Sequence, residues 1–460
     1  MARPTDIPLE PPLVSGRTIV RAVEDRTYLG FIAAALLSAL AGGFLLAIWM
    51  PLAATGDAAG SSRTPWLIQA HGWLQLQGWA GMFVAGMAVR IIPRFAGRRP
   101  IGRRITIPLL ALLTGAVLTR GIFQPWAEGD TARFASIVVA VLSAAGCGGV
   151  SALLAWTLLN ARKTADPWLL FAAAGTVWWA AWAVMMLVVT PENGFGIGEG
   201  LLAARENDAF LWVVMLGPIG NFIWGVQSRS VPIFFGRKTP SWRMAGIPGA
   251  MLNAAAVLLA VSIFLEGDAA EKAARGGLAL AGLALIWLPL VAGAVWGKAK
   301  RLRPRAKPAS RFVLAANISA VVAGLLLLYA GLQGLLGSAE QEFLARDAAR
   351  HAYGIGLITM LIIGMARLIA PVFALERTES GVPRLFERAP FWLLLAAVVL
   401  RVGSALLGEQ SGFTSRMHSA SIAGVLAWLA IAIFALSVVR AARAASGTMA
   451  VLEASARGGA

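Results

Sequence analysis

Apolar residues run through the chain in stretches of about 20, and short polar segments separate each stretch from the next. A helix of about 20 residues crosses a hydrocarbon core of roughly 30 Å. In lipid, backbone N–H and C=O groups must be hydrogen-bonded within a helix or a closed β-barrel. No stretch alternates between apolar and polar residues as a barrel strand does, so every stretch is predicted to be helical. The pattern predicts twelve transmembrane helices, near residues 28–50, 66–92, 105–125, 132–159, 168–190, 208–231, 245–265, 275–297, 311–336, 349–372, 389–407 and 417–439.

The composition supports this interpretation. Hydrophobic residues make up 58% of the 460-residue chain and charged residues only 14%, whereas about 25% of a typical soluble domain is charged. No polar stretch is long enough to form a second, aqueous domain. The first apolar stretch is too long for a removable signal peptide and lacks a small-residue cleavage site, so we expect a retained helix. The sequence therefore predicts an all-α polytopic membrane protein whose main partner is the lipid bilayer.

The net charge of +17 lies mostly in alternate loops. Basic residues follow the second, fourth, sixth and eighth predicted helices, whereas the other loops carry mostly acidic residues. Because basic loops stay on the cytoplasmic side, both the N-terminal segment 1–27 and the C-terminal tail 444–460 are predicted to be cytoplasmic. The basic charge is explained as a topology signal, so no nucleic-acid partner is expected.

Three helix ends share one sequence pattern. They read GMAVRIIPRFAGRR from Gly86, GVQSRSVPIFFGRK from Gly225 and GMARLIAPVFALER from Gly364. The prolines at 93, 232 and 371 are separated by 139 residues in both cases. Glycine and proline are common at helix ends, so a chance match is the alternative. Equal spacing favours three tandem four-helix units, 28–163, 164–308 and 309–443, unlike the two halves of six helices in common transporters.

The only three histidines all lie near the predicted outer ends of helices, at His71, His351 and His418. An ionisable residue within a membrane span is a functional candidate. His71 and His351 occupy related places, 22 and 20 residues before the repeated proline, and the middle unit has no histidine there. His418 has no counterpart, and either a ligand role or an interfacial role fits it.

Two arginines repeat this asymmetry. Arg120 and Arg401 lie in otherwise apolar stretches of the third and eleventh predicted helices, and the seventh has no charge at that depth. Both arginines fall in the outer third of the membrane, as do His71 and His351. No acidic residue lies near the middle of any predicted span, so we expect these arginines to find their counter-ions on a ligand.

Two imidazoles and two guanidinium groups at one depth fit a haem. Imidazole nitrogen is a common ligand of haem iron, and arginine binds carboxylates through paired hydrogen bonds. We therefore predict a haem b with His71 and His351 as axial ligands and with Arg120 and Arg401 bound to its propionates. Gln75, one turn after His71, is expected to orient a ligand or to pack against another helix.

Other interpretations stay open. A histidine near a helix end can simply reach interfacial water, and an outer arginine can extend to the surface. A solute transporter that uses the polar residues of predicted helices 2 and 6 would bind no cofactor and would be colourless. A non-catalytic assembly subunit would make the histidines incidental.

The segments HGWLQLQGWAGMFVAGMAVRIIPRFAGR from His71 and ARHAYGIGLITMLIIGMARLIAP from Ala349 resemble the NnrS family, and the three-by-four plan is similar to the catalytic subunit (subunit I) of haem–copper oxidases. The NnrS resemblance implies a bacterial inner-membrane haem protein linked to nitric oxide metabolism. A haem with both axial positions filled suits electron transfer or redox sensing, so we expect an oxidoreductase or electron-transfer component with a quinol or a cytochrome as redox partner. Predicted helices 6 and 7 have no histidine, so oxygen reduction and a copper site are not expected.

Overall fold

The computed structural model describes residues 26–56, 63–162, 166–195, 201–293, 307–336, 339–374, 384–407 and 412–458. Most of the predicted N-terminal segment 1–27 and of the basic loop at 298–307 lies outside these residues. Nearly every described residue is helical, and the described part contains no strand.

The described residues form twelve helices. They are α1 (Thr27–Ala53), α2 (64–95), α3 (Arg103–Phe123), α4 (Gly129–Leu159), α5 (Trp168–Phe195), α6 (Ala204–Phe234), α7 (Trp242–Ile263), α8 (Gly267–Val291), α9 (Lys307–Leu336), α10 (339–374), α11 (Arg384–Leu406) and α12 (Phe413–Gly458). Eleven of them are long and apolar enough to cross a membrane. The exception is α2, which carries Gln69, His71, Gln75 and Gln77. The prediction of an all-α polytopic membrane protein is confirmed.

Three helices, α2, α6 and α10, form the interior of the bundle and are called the central helices below. In the most apolar part of α6, 83% of the residues are buried, and in that of α10 78% are buried. In the other candidate spans the buried share is 33 to 56%. In α2, nearly every residue from Trp73 to Pro93 is buried. The other helices pack around these three. Helix α12 packs against α1, and Trp428 Nε1 donates to the Leu40 carbonyl oxygen at 3.0 Å. Lipid therefore contacts mainly the surrounding helices.

Each central helix contains a π-helical segment, a feature often found at functional sites. The segments are Leu74–Gly81 in α2, Met215–Gly220 in α6 and Ala352–Thr359 in α10. Each segment ends twelve residues before the proline of the repeated sequence pattern. In α6 the Asn221 amide donates to the carbonyl oxygens of Leu216 and Gly217, at 3.2 and 2.9 Å, which satisfies acceptors where the helix widens.

A glycine–phenylalanine contact also recurs between the central helices and their neighbours. A Cβ at Gly86, Gly225 or Gly364 would lie 2.6, 3.1 or 2.6 Å from the Cβ of a phenylalanine on the preceding helix. The three phenylalanines are Phe31, Phe171 and Phe312. Only glycine permits this approach without a shift. The three-unit organisation stays a prediction, and this recurring contact supports it.

Two helices extend further than the apolar pattern predicts. Helix α10 begins at residue 339 and not near 349, and α12 continues to Gly458, through most of the predicted tail 444–460. Charged residues lower the hydropathy at these ends, but charged side chains can continue a helix when they pair with one another. The longer α10 matters, because it brings Asp347 into the bundle.

Candidate functional site

A cavity of about 930 Å³ lies at the end of the bundle where the even-numbered helices begin. Residues of α1, α2, α6, α8, α10 and α12 line it, together with Arg401 of α11 and the segment before α6. Its volume is at the upper end of the range of about 300–1,000 Å³ that is usual for ligand pockets. This cavity brings together His71, His351, Arg401 and Gln75, four of the predicted site residues.

The cavity has an apolar floor and a charged wall. Apart from Thr359, the residues further along the central helices are mostly apolar or aromatic, and they include Leu76, Trp79, Ala80, Met215, Ile355 and Ile358. Trp79 is held across the floor, because its Nε1 donates to Thr359 Oγ1 at 3.1 Å. The charged side chains lie nearer the beginnings of the same helices. A ligand with an apolar body and a charged edge matches this polarity.

His71 projects from α2, three residues before the π-helical segment. Its Nδ1 lies 2.8 Å from the carbonyl oxygen of Gly43 in α1. Because a carbonyl oxygen only accepts, Nδ1 carries the proton in this hydrogen bond and Nε2 keeps its lone pair. A carbonyl bound to one ring nitrogen in this way fixes the tautomer that a metal ligand requires.

His351 repeats this arrangement in α10, immediately before the π-helical segment. Its Nδ1 donates to the carbonyl oxygen of Asp347 at 2.8 Å, one turn earlier in the same helix. The lone pair of its Nε2 is therefore available as well. Both histidines line the same cavity, and both have the protonation pattern of a ligating imidazole.

Arg401 has a protein counter-ion, contrary to the expectation from sequence. One of its terminal nitrogens lies 2.7 Å from an oxygen of the Asp347 carboxylate, and both side chains are 20% exposed. The expectation was wrong because the apolar pattern starts the tenth helix near residue 349. In the structure α10 begins ten residues earlier, so Asp347 faces the cavity beside His351.

The Asp347–Arg401 pair ends a row of eight alternating charges along the cavity wall. Successive members are joined by ion pairs of 2.7 to 3.9 Å. The row runs through Glu271, Arg275, Glu342, Arg346, Asp208, Arg350, Asp347 and Arg401. It links α8, α10, α6 and α11, and a network of this kind holds its members more firmly than isolated pairs do.

Arg120 is not brought to this cavity. It is buried, at 8% exposure, its guanidinium carbon lies 4.3 Å from the centre of the Trp73 ring, and its Nε donates to Gln124 Oε1 at 2.8 Å. Gln124 in turn donates to Gln69. Cation–π contact and amide hydrogen bonds thus accommodate this arginine within the protein.

Two further predicted residues lie in different positions. His418 is exposed on α12 and does not line the cavity, although its neighbour Met417 does. Gln75 lines the cavity and packs over Gly43, where an added Cβ would lie 2.9 Å from its Nε2. Gln75 therefore lies beside the carbonyl that holds His71.

The described residues include no group of three or more His, Cys, Asp or Glu side chains that could hold a metal ion together. Comparison of the chain with protein-family models finds no match, and comparison with curated proteins finds none either.

Sequence reasoning missed the acidic and basic residues at the beginning of α10. The segment ARDAARH, from Ala345 to His351, does contain the signal. Asp347 and His351 are four residues apart, as are Arg346 and Arg350, so each pair lies on one face of a helix. Hydropathy places residues 345–348 in a loop, whereas the helical spacing of the charges indicates that the helix begins earlier.

Proposed function

We propose that this chain is a membrane b-type haem protein of the NnrS-like kind, with His71 and His351 as the two axial ligands. One observation carries the proposal: both histidines line one cavity, and each donates its Nδ1 proton to a backbone carbonyl. This arrangement leaves two Nε2 lone pairs for the two axial positions of one iron.

The remaining cavity residues fit the same group. The apolar floor around Trp79 and Ile358 would hold the porphyrin body, and Arg401 would bind a propionate at the charged wall. Haem supplies a centre that gains and loses one electron. His71, His351 and Arg401 would hold and orient it and the apolar residues would exclude water from it, and two histidine ligands would suit electron transfer or redox sensing more than ligand activation.

The cavity opens at the end that carries the predicted acidic loops, which the positive-inside rule assigns to the outer face of a bacterial inner membrane. A quinol or a cytochrome would be the redox partner, and the NnrS resemblance favours a role in nitric oxide metabolism. These finer assignments are part of the proposal.

The test is an absorption spectrum of the purified protein, reduced minus oxidised, with haem quantified as its pyridine complex. We expect about one low-spin haem per chain. His71→Ala and His351→Ala should each abolish or convert the low-spin spectrum, since each removes one axial ligand. His418→Ala is the matched control and should leave the spectrum unchanged.

A colourless protein from haem-replete cells would overturn the proposal. The cavity with its charged wall would then favour the solute transporter, and binding of small charged solutes would be the next measurement. If haem is bound but neither His71→Ala nor His351→Ala alters its spectrum, the assignment of the ligands is wrong.

A further inference from the structure

The two histidines differ in the groups that their Nδ1 atoms contact. His71 Nδ1 contacts the Gly43 carbonyl, a neutral acceptor. His351 Nδ1 contacts both the carbonyl oxygen of Asp347, at 2.8 Å, and the Oδ1 of the same residue's carboxylate, at 3.5 Å. A carboxylate oxygen therefore lies 3.5 Å from the Nδ1 of His351, whereas the recorded partner of the His71 Nδ1 is a neutral carbonyl.

The carboxylate of Asp347 is held in place by its neighbours. Arg401 binds its Oδ2 at 2.7 Å, which leaves Oδ1 directed towards His351. Arg350 lies 3.9 Å from Oδ1 and is itself anchored by Asp208 at 2.7 Å. Because these side chains are largely withdrawn from water, the carboxylate acts on the imidazole through a lower dielectric than at the surface.

We propose that Asp347 is a positioning residue that sets the strength of His351 as an iron ligand. The inference rests on the proposed haem function. The carboxylate charge lies 3.5 Å from the Nδ1 that donates to the backbone carbonyl, so it favours positive charge on the ring and increases electron density at Nε2. A more electron-rich ligand stabilises oxidised iron over reduced iron. Asp347 therefore lowers the midpoint potential of the site and makes its two axial ligands unequal.

The experiment compares Asp347→Asn with Asp208→Asn in the full-length protein loaded with haem in detergent. Asp347→Asn removes the charge but keeps the backbone carbonyl that accepts the Nδ1 proton. Asp208→Asn is the matched control, because Asp208 carries the same charge in the same row and its recorded ion pairs are with Arg346 and Arg350 and not with a histidine. Asp347→Glu tests rescue by a retained carboxylate.

Two quantities are measured, the midpoint potential by redox titration and the g-values of the oxidised iron by electron paramagnetic resonance. For Asp347→Asn we expect the equilibrium constant for reduction to rise about tenfold, which is about 59 mV for one electron. We also expect the g-values to shift towards those of an imidazole without a charged partner. Asp208→Asn should keep the g-values, and Asp347→Glu should lie between Asp347→Asn and the unaltered protein.

The g-values distinguish a change in the strength of His351 as a ligand from a change in the electric field at the iron. Equal changes of potential in Asp347→Asn and Asp208→Asn, with unaltered g-values in both, would overturn the inference and leave the haem proposal intact. Absence of haem from the unaltered protein would remove both proposals. If Asp347→Asn does not fold, Asp347→Ser decides the question against Asp208→Ser, because both remove the carboxylate, and identical g-values in these two variants also overturn the inference.

Discussion

Arg120 and Arg401 show how the surroundings of a single residue decide its role. Both are arginines in apolar stretches near one end of the bundle. Arg120 is enclosed by Trp73 and Gln124, whereas Arg401 lines the cavity and pairs with Asp347. The proposed haem therefore has one of its two predicted propionate partners at the cavity wall, and the neighbouring arginines of the charged row are the available replacements for the other.

The two arginines give a matched pair of substitutions. Arg401→Gln should reduce haem retention about tenfold or more, because a hydrogen bond to a charged group contributes about 1.5–3 kcal/mol. Arg120→Gln should keep the haem and lower the thermal stability only slightly, since a cation–π contact contributes about 0.5–2 kcal/mol. The measurement is the haem-to-protein ratio after competition with an apo-haemoprotein. Equal losses in the two variants would contradict the different roles assigned to them.

At the scale of the helix, the central elements combine close packing near one end with π-helical widening in the middle. The glycines at 86, 225 and 364 bring each central helix against its predecessor. The π-helical segments lie at the cavity, where Trp79 meets Thr359, and Tyr353 donates to the carbonyl oxygen of Met215 at 3.2 Å. Close contacts with neighbouring helices hold the central helices in place, so their widened segments can position the cavity side chains.

Alanine substitutions of these glycines should differ in a graded way. Gly86→Ala and Gly364→Ala place a Cβ 2.6 Å from a phenylalanine Cβ, whereas Gly225→Ala leaves 3.1 Å. Overpacking costs about 1–3 kcal/mol, so the first two should lower the unfolding temperature more than the third. Gly403→Ala is the control, because nothing lies within 4 Å of its added Cβ. Thermal unfolding in detergent measures the unfolding temperature of each variant. Equal decreases in unfolding temperature at all four positions would contradict the packing argument.

At the scale of the whole molecule, orientation decides which side of the membrane the cavity faces. The acidic loops and the beginnings of α2, α6 and α10 lie at the same end of the bundle as the cavity. The row of ion pairs links four helices at this end. If the positive-inside rule applies, a redox partner would reach the site from outside the cytoplasm.

Single-cysteine labelling tests this orientation. The native Cys147 is fully buried and should not react, so introduced cysteines report alone. Asp130→Cys, at a fully exposed side chain in the first turn of α4, should react with a membrane-impermeant maleimide in intact spheroplasts. Arg99→Cys, at an exposed position in a basic loop, should react only after lysis. The reverse pattern would place the cavity on the cytoplasmic side.

The apolar pattern predicted most of the architecture because twelve stretches of membrane length leave few alternatives. It also singled out His71, His351 and Arg401, since isolated polar residues are conspicuous in apolar helices. It failed at Glu342, Arg346 and Asp347, because hydropathy assigns a charged segment to a loop. It also suggested for Arg120 a role at the cavity, because depth along a helix carries no information about the direction in which a side chain points.

The sequence by itself determined that the chain is a bundle of membrane helices, because burying apolar surface and satisfying the backbone in lipid are properties of each segment alone. It also determined the depth of the candidate ligands along their helices. The tertiary structure decided which side chains share a cavity, which carbonyl holds each imidazole and which charge neutralises Arg401. Those facts depend on the rotation and contact of helices far apart in the chain, which no single segment encodes.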